Sequence, residues 1–307
     1  MAIKTWITSE ALPMLAHDHM LPCGACIAQI VREGADVKRF VLDTEIEAMP
    51  GQFIMVWLPG LDEKPFSLAS GVPVAVVVAK VGPFTRTLHD LRVGDRLWWR
   101  GPLGHGFTLP NPDVTGPVAK GTLLLVGGGY GAAPLAFLAE RASSAGWQVM
   151  ALLGARSESG LILRERFAAL GCRVIICTED GSCGQQGLIT EAAEGYVGHS
   201  GREKITAVYG CGPLAMLEAL RPVCGEHRVP CQLSYEAFIK CGMGVCGSCA
   251  WNGLLICHDG PVIRYSASGE WLSPHDGDAT PVSSQMIMSP AGVVPPNDNV
   301  TGVPTPF

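Results

Sequence analysis

The 307-residue sequence has few charged residues and few aromatic ones. Charged side chains make up 16% of the chain and aromatic ones 7%, whereas 48% of the residues are hydrophobic. The formal net charge is −6. Because binding to nucleic acid requires clustered Lys and Arg, we do not expect nucleic acid as a partner. The low charge content indicates a compact chain with a large buried fraction, and a length that exceeds one ordinary core predicts several domains.

Long apolar runs and a secretion signal are also absent. No run approaches the ~20 apolar residues that a membrane-spanning helix needs. The N-terminus, MAIKTWITSE, lacks the basic-then-apolar pattern of a signal peptide. Twelve cysteines without such a signal therefore predict a reducing, cytoplasmic location. They indicate metal or redox chemistry rather than disulfides.

The most distinctive motif is a group of cysteines near residue 250. The segment CGMGVCGSC continues to ICHDG, which gives the spacing C-x4-C-x2-C-x7-C. The four cysteines are Cys241, Cys246, Cys249 and Cys257. The C-x4-C-x2-C order with a further cysteine is typical of a [2Fe-2S] cluster held by four thiolates. Glycines between the ligands would allow the backbone to wrap tightly around such a cluster.

Two alternatives to an iron–sulfur cluster stay open at this point. The four thiols could bind zinc, although zinc usually takes two separated C-x2-C pairs or Cys/His pairs, or they could bind no metal. A second Cys/His set in the leader, namely His17, His19, Cys23 and Cys26, is a weaker zinc candidate.

The rest of the chain divides by its pattern. Residues 1–22 form a leader without a strong pattern. Residues 23–115 contain short β-rich runs between polar or Gly/Pro breaks, which is typical of a small antiparallel barrel. Residues 116–230 alternate buried strands with helices and predict a doubly wound parallel sheet. The cluster segment spans residues 231–265, and the Pro- and Ser-rich tail at 266–307 is expected to be extended or bound to a partner.

Two glycine-rich turns each follow a buried strand and open a helix. The first, VGGGYGAAP, contains the relaxed dinucleotide fingerprint G-x-G-x-x-A, whose glycines let the backbone approach a pyrophosphate at a helix N-terminus. The second is YGCGP, which contains Cys211. Because ligands bind at the carboxyl ends of parallel strands, both turns could contact one dinucleotide. Cys211 is either a ligand contact or a small buried hydrophobic residue.

Together these motifs resemble the ferredoxin–NADP reductase superfamily and, within it, the electron-transfer subunits of dihydroorotate dehydrogenase B. The resemblance covers roughly residues 23–265 in the family's order. It is carried by PGQFIMVWLPGLDEKPFSLAS, VGPFTRTLHDLRVGDRLWWRGPLGHGF, LLLVGGGYGAAPL, LLGARS, TEDGSCGQQGLIT, VYGCGPLAML and SYEAFIKCGMGVCGSCAWNGLLICHDGPVI. It implies an antiparallel FAD-binding β-barrel, a doubly wound parallel-sheet NAD-binding domain and a small C-terminal [2Fe-2S] segment.

The resemblance also implies a set of cofactor contacts. Flavin contacts would come from Lys64, Pro65, Phe66, Ser67, Val78, Ala79, Lys80, Phe84 and Thr85. Contacts to NAD(H) would come from Gly127, Gly128, Gly129, Gly131, Ala132, Gly210, Gly212 and Pro213. Cys211 would lie near the nicotinamide or flavin ring, as the candidate catalytic residue. Lys64 stands where the family more often has Arg, and Phe84 where it often has Gly.

The function implied by the resemblance is electron transfer. The chain would be an NAD(P)H-linked oxidoreductase subunit that passes electrons between NAD(H), FAD and the [2Fe-2S] cluster. Its partner in a hetero-oligomer would be the FMN-containing dihydroorotate dehydrogenase catalytic subunit of pyrimidine biosynthesis. Arg156 and Ser157 follow the second sheet strand, where a 2′-phosphate could bind, so NAD and NADP both stay open.

Three alternative functions remain open from the sequence. The chain could be a diaphorase subunit of a hydrogenase or of an electron-bifurcating transhydrogenase. It could also be a regulatory iron–sulfur module that has lost its flavin. The third alternative is a zinc-binding interaction domain.

Overall fold

The computed structural model describes residues 20–110, 121–198 and 204–272. Two members of the leader's zinc candidate set, His17 and His19, lie outside the described residues, as does the tail from residue 273 onwards.

Six antiparallel strands form a closed barrel in the N-terminal part of the chain. In the order β1-β2-β5-β4-β3-β6 around the barrel, they are β1 (Cys23–Gly34), β2 (Val37–Leu42), β5 (Val74–Ala79), β4 (Asp62–Gly71), β3 (Phe53–Leu58) and β6 (Arg96–Leu103). Helix α1 (Pro83–Asp90) contributes Phe84 and Leu88 to the barrel core. Pro83 suits the first helical turn, where its missing N–H leaves no bond unmade. The predicted antiparallel barrel is confirmed.

An eight-stranded sheet with helices on both faces follows the barrel. Its order is β10-β9-β8-β7-β11-β12-β15-β16, parallel from β10 to β12. The elements up to β12 are β7 (Thr122–Gly128), α2 (Ala132–Ser144), β8 (Gln148–Ala155), α3 (Arg164–Ala169), β9 (Arg173–Thr178), β10 (Gln185–Gln186), α4 (Ile189–Gly198), β11 (Ile205–Cys211), α5 (Leu214–Glu226) and β12 (Cys231–Ser234). Alternate strand residues pack against α2 and α3 on one face and against α4 and α5 on the other. The predicted doubly wound sheet is confirmed.

The cluster segment joins this sheet through its first strand, β12, and its last strand, β15 (Val262–Tyr265). It also contains β13 (Ala250–Trp251), β14 (Leu254–Leu255) and α6 (Ile256–Asp259), and β16 (Trp271–Leu272) follows it at the start of the predicted tail. Strand β15 pairs antiparallel with β12, and β16 pairs with β15. The cysteine loop therefore emerges from the edge of the parallel sheet rather than from a separate core.

Barrel and sheet are joined by buried contacts. Phe137 of α2 belongs to the barrel core, and Arg166 of α3 donates from Nη2 to the carbonyl oxygen of Ala69 in β4 at 3.0 Å. The segment after β6 is held to the sheet by Tyr209, whose hydroxyl donates to the Thr108 carbonyl at 2.9 Å. These contacts fix the strand that carries Lys64–Ser67 against helices of the sheet. No helix among the described residues is long and apolar enough to cross a membrane.

Candidate functional site

The loop that carries the first three cysteines curls because of its glycines. Gly242, Gly244 and Gly247 all have positive φ angles, of 68°, 75° and 72°. Residues with a Cβ avoid this region, so the three glycines allow the chain to wrap inward at each step. The tight wrapping that was expected from the sequence is confirmed.

Backbone N–H groups in this loop point at the sulfurs. The N–H groups of Met243 and Cys246 each lie 3.5 Å from the Cys241 sulfur. Gly244 donates to the Cys257 sulfur at 3.2 Å, and the Cys257 N–H lies 3.4 Å from the Cys249 sulfur. Donors of this kind stabilise negative charge on sulfur, which a metal-bound thiolate carries.

A short hairpin brings the fourth cysteine back to the loop. Strands β13 and β14 are joined by Asn252 and Gly253, which have φ angles of 47° and 81°. Two consecutive positive φ values are the geometry that Asn-Gly favours in a two-residue hairpin. The Leu255 N–H then donates to the Asp259 carboxylate at 2.7 Å, across the short helix that presents Cys257.

The four sulfurs approach one another in two pairs, Cys241 with Cys246 and Cys249 with Cys257. Burial raises the pKa of Cys257 to about 12, and the neighbouring Cys249 thiol adds to this. Burial also acts to raise the pKa of Cys241, but the backbone donors outweigh it and lower that pKa to about 6. Two sulfur pairs fit a two-iron cluster, in which each iron takes two protein ligands. No group of three or more His, Cys, Asp or Glu suited to one metal ion occurs among residues 20–110, 121–198 and 204–272.

One edge of the cysteine loop is exposed. Cys249 and Cys257 are buried, whereas Cys246 lies at the surface. In the same segment, the apolar residues Phe238, Met243 and Val245 are 63%, 41% and 78% exposed. The opposite edge of the loop rests on the barrel: a Cβ added at Gly242 would come within 3.0 Å of Leu103 and 3.2 Å of Met55.

The two glycine-rich turns are packed directly on each other. A Cβ at Gly128 would lie 2.8 Å from both Pro213 and Met216, and one at Gly131 would overlap the Cys211 carbonyl. These glycines are therefore needed for the approach of one turn to the other. Gly129, with a φ of 52°, is different because nothing lies within 4 Å of its added Cβ. The two turns are thus close enough to contact one dinucleotide, and that contact stays a prediction.

The remaining predicted dinucleotide residues lie around this junction. Gly127 and Gly210 are buried at the ends of β7 and β11, and Ala132 is buried at the start of α2. Gly212 faces the backbone of Gly128, and Pro213 is exposed. Their roles as NAD(H) contacts stay a prediction.

Cys211 lies at the buried end of β11, only 5% exposed. Burial raises its pKa to about 12, with a smaller contribution from the nearby Glu236 carboxylate, while the Ser234 hydroxyl acts in the opposite direction. The side chain is therefore a neutral thiol at physiological pH and unsuited to nucleophilic attack. Its role beside a nicotinamide or flavin ring stays a prediction.

The predicted flavin residues occupy three neighbouring elements of the barrel. Lys64 and Ser67 lie on β4, Val78 and Ala79 at the end of β5 with Lys80 exposed just beyond it, and Thr85 in the first turn of α1. Because β4 and β5 are paired, the structure brings the predicted residues of β4 close to those of β5.

Several of these side chains already have partners within the protein. Lys64 forms an ion pair with Asp62 at 2.6 Å, and this hydrogen bond lowers the Asp62 pKa. The rings of Phe66 and Phe84 stack with centroids 6.2 Å apart, so the Phe84 ring packs into the barrel core. The Thr85 hydroxyl accepts the N–H of Gly82 at 2.9 Å and thereby closes the turn that begins α1.

Comparison with known proteins adds to this geometry. Residues 236–267 match the family described as the iron-sulfur cluster binding domain of dihydroorotate dehydrogenase B. Two relatives are named "Probable dihydroorotate dehydrogenase B (NAD(+)), electron transfer subunit". The one from Thermococcus kodakarensis is 44% identical, over 75% of this chain and 90% of the relative. The one from Methanocaldococcus jannaschii is 39% identical, over 77% of this chain and 87% of the relative.

The chain belongs to the family of dihydroorotate dehydrogenase B electron-transfer subunits. Among solved structures, it is similar to a chain of an NADH-dependent reduced ferredoxin–NADP oxidoreductase, with a TM-score of 0.67, 28% identity and coverage of 78% of this chain and 87% of that one. It is also similar to a cytochrome P450 reductase from Amycolatopsis, with a TM-score of 0.56, 28% identity and coverage of 67% of each chain. The predicted resemblance to flavin-dependent reductases is therefore confirmed.

Sequence reasoning missed three charged residues at this site. Arg100 and Glu63 form an ion pair at 2.7 Å on the barrel beneath the cysteine loop, and Glu236 approaches Cys211. Arg100 had a visible signal, because it is a charge that directly follows the apolar run LWW within a strand. Glu236 had none, since its proximity to Cys211 arises only when β11 and β12 pair.

Proposed function

We propose that this chain is the electron-transfer subunit of a dihydroorotate dehydrogenase B complex. It is an NAD-linked oxidoreductase subunit that holds FAD, a [2Fe-2S] cluster and NAD(H), and that exchanges electrons with a catalytic subunit. The observation that carries this is the family's cluster segment, folded against the barrel with its four cysteines in two pairs and one edge exposed. When bound, NAD(H) and the flavin supply hydride chemistry and the cluster supplies one-electron transfer.

The protein's part in this function is binding and orientation. We propose Cys241, Cys246, Cys249 and Cys257 as the cluster ligands, because their sulfurs approach one another in two pairs and three of them receive backbone N–H groups. The flavin is proposed to lie along β4, β5 and the first turn of α1, whose N-terminal N–H groups and dipole favour a pyrophosphate. The division into a barrel at residues 23–115, a nucleotide domain at 116–230 and a cluster segment at 231–265 is part of the same proposal.

The nicotinamide nucleotide is proposed to bind at the two packed glycine turns. Gly129 is the position where a ligand can approach the backbone most closely, because the space beside it is open. We expect NADH to be preferred over NADPH. After β9, the Asp180 N–H donates to the carbonyl oxygen of Arg156 at 3.1 Å. This hydrogen bond brings acidic residues to the end of β8. The carboxylates of Glu158, Glu179 and Asp180 would repel the 2′-phosphate by which NADPH differs from NADH.

The catalytic partner is proposed to dock over the exposed edge of the cysteine loop. Phe238, Met243 and Val245 expose apolar side chains in the segment that carries Cys246, and exposed apolar side chains concentrated in one segment favour an interaction site. Docking there would bring the partner's redox centre close to the cluster. The relatives' names indicate that this partner is a dihydroorotate-oxidising subunit.

The decisive experiment combines spectroscopy with copurification. Protein purified without oxygen is expected to show flavin and iron–sulfur absorbance, to contain iron and sulfide, and to be bleached faster by NADH than by NADPH. Coexpressed with the dihydroorotate-oxidising subunit, it should form a complex that reduces NAD⁺ with dihydroorotate. Protein that contains neither flavin nor iron, or is reduced by neither nucleotide, would contradict the proposal.

A second candidate function is the diaphorase subunit of an electron-bifurcating complex. It is favoured by the similarity to the NADH-dependent reduced ferredoxin–NADP oxidoreductase, a structure described in the context of flavin-based electron bifurcation. This candidate predicts a stable complex with a larger flavoprotein and reduction of ferredoxin. It also predicts no stimulation by dihydroorotate, which separates it from the first proposal.

A further inference from the structure

A buried arginine lies between the barrel and the cysteine loop. The Arg100 side chain is only 7% exposed, although it belongs to strand β6 on the outside of the barrel. A buried guanidinium is costly unless charged or polar partners compensate for its lost hydration. The identity of those partners therefore indicates why the residue is there.

Glu63 of β4 is the first partner. Arg100 donates from Nε to Oε1 of Glu63 and from Nη2 to Oε2, each at 2.7 Å. This is the bidentate geometry that fixes a guanidinium in both position and plane. Strands β4 and β6 flank β3, and Met55 of β3 is directly opposite Arg100 in the sheet. The ion pair thus crosses a rigid three-stranded part of the barrel.

The cysteine loop is the second partner. Nη2 of Arg100 also donates to the carbonyl oxygen of Cys241 at 2.8 Å, a contact between residues 141 positions apart in the chain. Cys241 is the first proposed cluster ligand, so a charged hydrogen bond from the barrel holds the backbone of that ligand. A charge-assisted hydrogen bond of this kind is roughly twice as strong as a neutral one.

The third nitrogen of the guanidinium faces the loop without a partner. Nη1 is buried and has no hydrogen bond among the described residues. A Cβ at Gly242 would lie 3.5 Å from Nη1. Because Glu63 occupies the Nε and Nη2 edge, Nη1 is the corner of the guanidinium that points away from the carboxylate. The positive charge is therefore presented to the cluster loop, with the negative charge behind it.

We propose that Arg100, oriented by Glu63, is a positioning residue that seats the cluster loop on the barrel and raises the cluster's reduction potential. The proposal rests on cluster binding as set out in the proposed function. Reduction adds one negative charge to the cluster, and a nearby buried cation favours the more negative state. Glu63 has two opposing effects, because it orients Arg100 but also partly cancels its charge.

The test is a redox titration of the cluster, monitored by electron paramagnetic resonance in purified, cluster-loaded protein. Arg100→Gln is expected to lower the midpoint potential, because the cation is lost and the Glu63 carboxylate remains. Glu63→Gln is expected to raise it, because the cation is left unopposed. Arg100→Lys keeps the charge and should remain closer to the unmodified protein than Arg100→Gln. Arg96→Gln, an exposed arginine on the same strand, is the control and should leave the potential unchanged.

The two substitutions are expected to shift the midpoint potential in opposite directions, and this distinguishes an electrostatic effect from a merely structural one. If the pair only stiffened the loop, both substitutions would loosen it and shift the potential in the same direction, and that result would overturn the proposal. An unchanged potential in Glu63→Gln would also overturn it, and this variant decides the matter if Arg100→Gln does not retain its cluster. Absence of any cluster signal in the unmodified protein would instead contradict the proposed function itself.

Discussion

Replacement of Gly242 by alanine tests how the cysteine loop is seated on the barrel. This glycine has a φ of 68° and lies directly after the first proposed ligand. Its added Cβ would come within 3.0 Å of Leu103 and 3.2 Å of Met55, both buried in the barrel. The substitution therefore combines a backbone penalty with a collision. Gly247 in the same loop has a φ of 72° but open space around its Cβ, so Gly247→Ala is the matched control.

The difference between the two variants isolates the contact with the barrel. A residue with a Cβ in the left-handed region costs about 1–2 kcal/mol, and both variants carry this term. Overpacking against a well-filled surface adds about 1–3 kcal/mol in Gly242→Ala alone. We thus expect a free energy of unfolding that is lower by about 1–2 kcal/mol in Gly247→Ala and by about 2–5 kcal/mol in Gly242→Ala.

The assay is urea denaturation followed by circular dichroism, together with the rate at which visible cluster absorbance is lost to a chelator. Gly242→Ala should unfold at lower urea and lose its cluster faster than Gly247→Ala. Equal effects of the two substitutions would refute the reasoning, because they would mean that the loop is not pressed against Leu103 and Met55.

Three further predictions follow from the site. Cys246→Ser should lose most bound iron and sulfide but keep its flavin, whereas Cys26→Ser should keep both by iron analysis and absorbance; equal iron loss would contradict the ligand assignment. Gly129→Ala should raise the KM for NADH and lower stability only by the backbone cost of about 1–2 kcal/mol, while Gly131→Ala should fold poorly, because its Cβ would overlap the Cys211 carbonyl; the reverse order in thermal unfolding and kinetics would be inconsistent with this packing. Burial raises the pKa of Cys211 from 9.0 to about 12, so the unfolded chain releases this proton first. The contribution of the thiol to stability should be complete below pH 9 and fall as pH rises towards 12, and Cys211→Ala should weaken that slope in urea titrations at several pH values.

Local patterns were sufficient to predict the ligand loop and the strand types. The C-x4-C-x2-C-x7-C spacing pointed to four cysteines whose sulfurs approach one another in two pairs in the structure, and the interspersed glycines are those with positive φ. Both features depend on residues within one short segment, where backbone sterics act directly. The alternation of buried strands with helices likewise predicted the sheet and its two packed glycine turns.

Contacts between distant segments could not be predicted from local sequence patterns. The hydrogen bond from Arg100 to Cys241 joins positions 141 residues apart, and no periodicity relates them. Likewise, only the folded barrel places the ring of Phe84 inward against Phe66.

The sequence by itself determined which residues could hold a cluster, because ligand type, spacing and glycine conformations are local properties. The tertiary structure decided what that cluster would contact. Pairing of β12 with β15 places the loop at the sheet edge, and the barrel then buries Cys249 and Cys257 while leaving Cys246 exposed. Exposure and electrostatic surroundings depend on which surfaces meet, and that is a property of the whole fold rather than of any one segment.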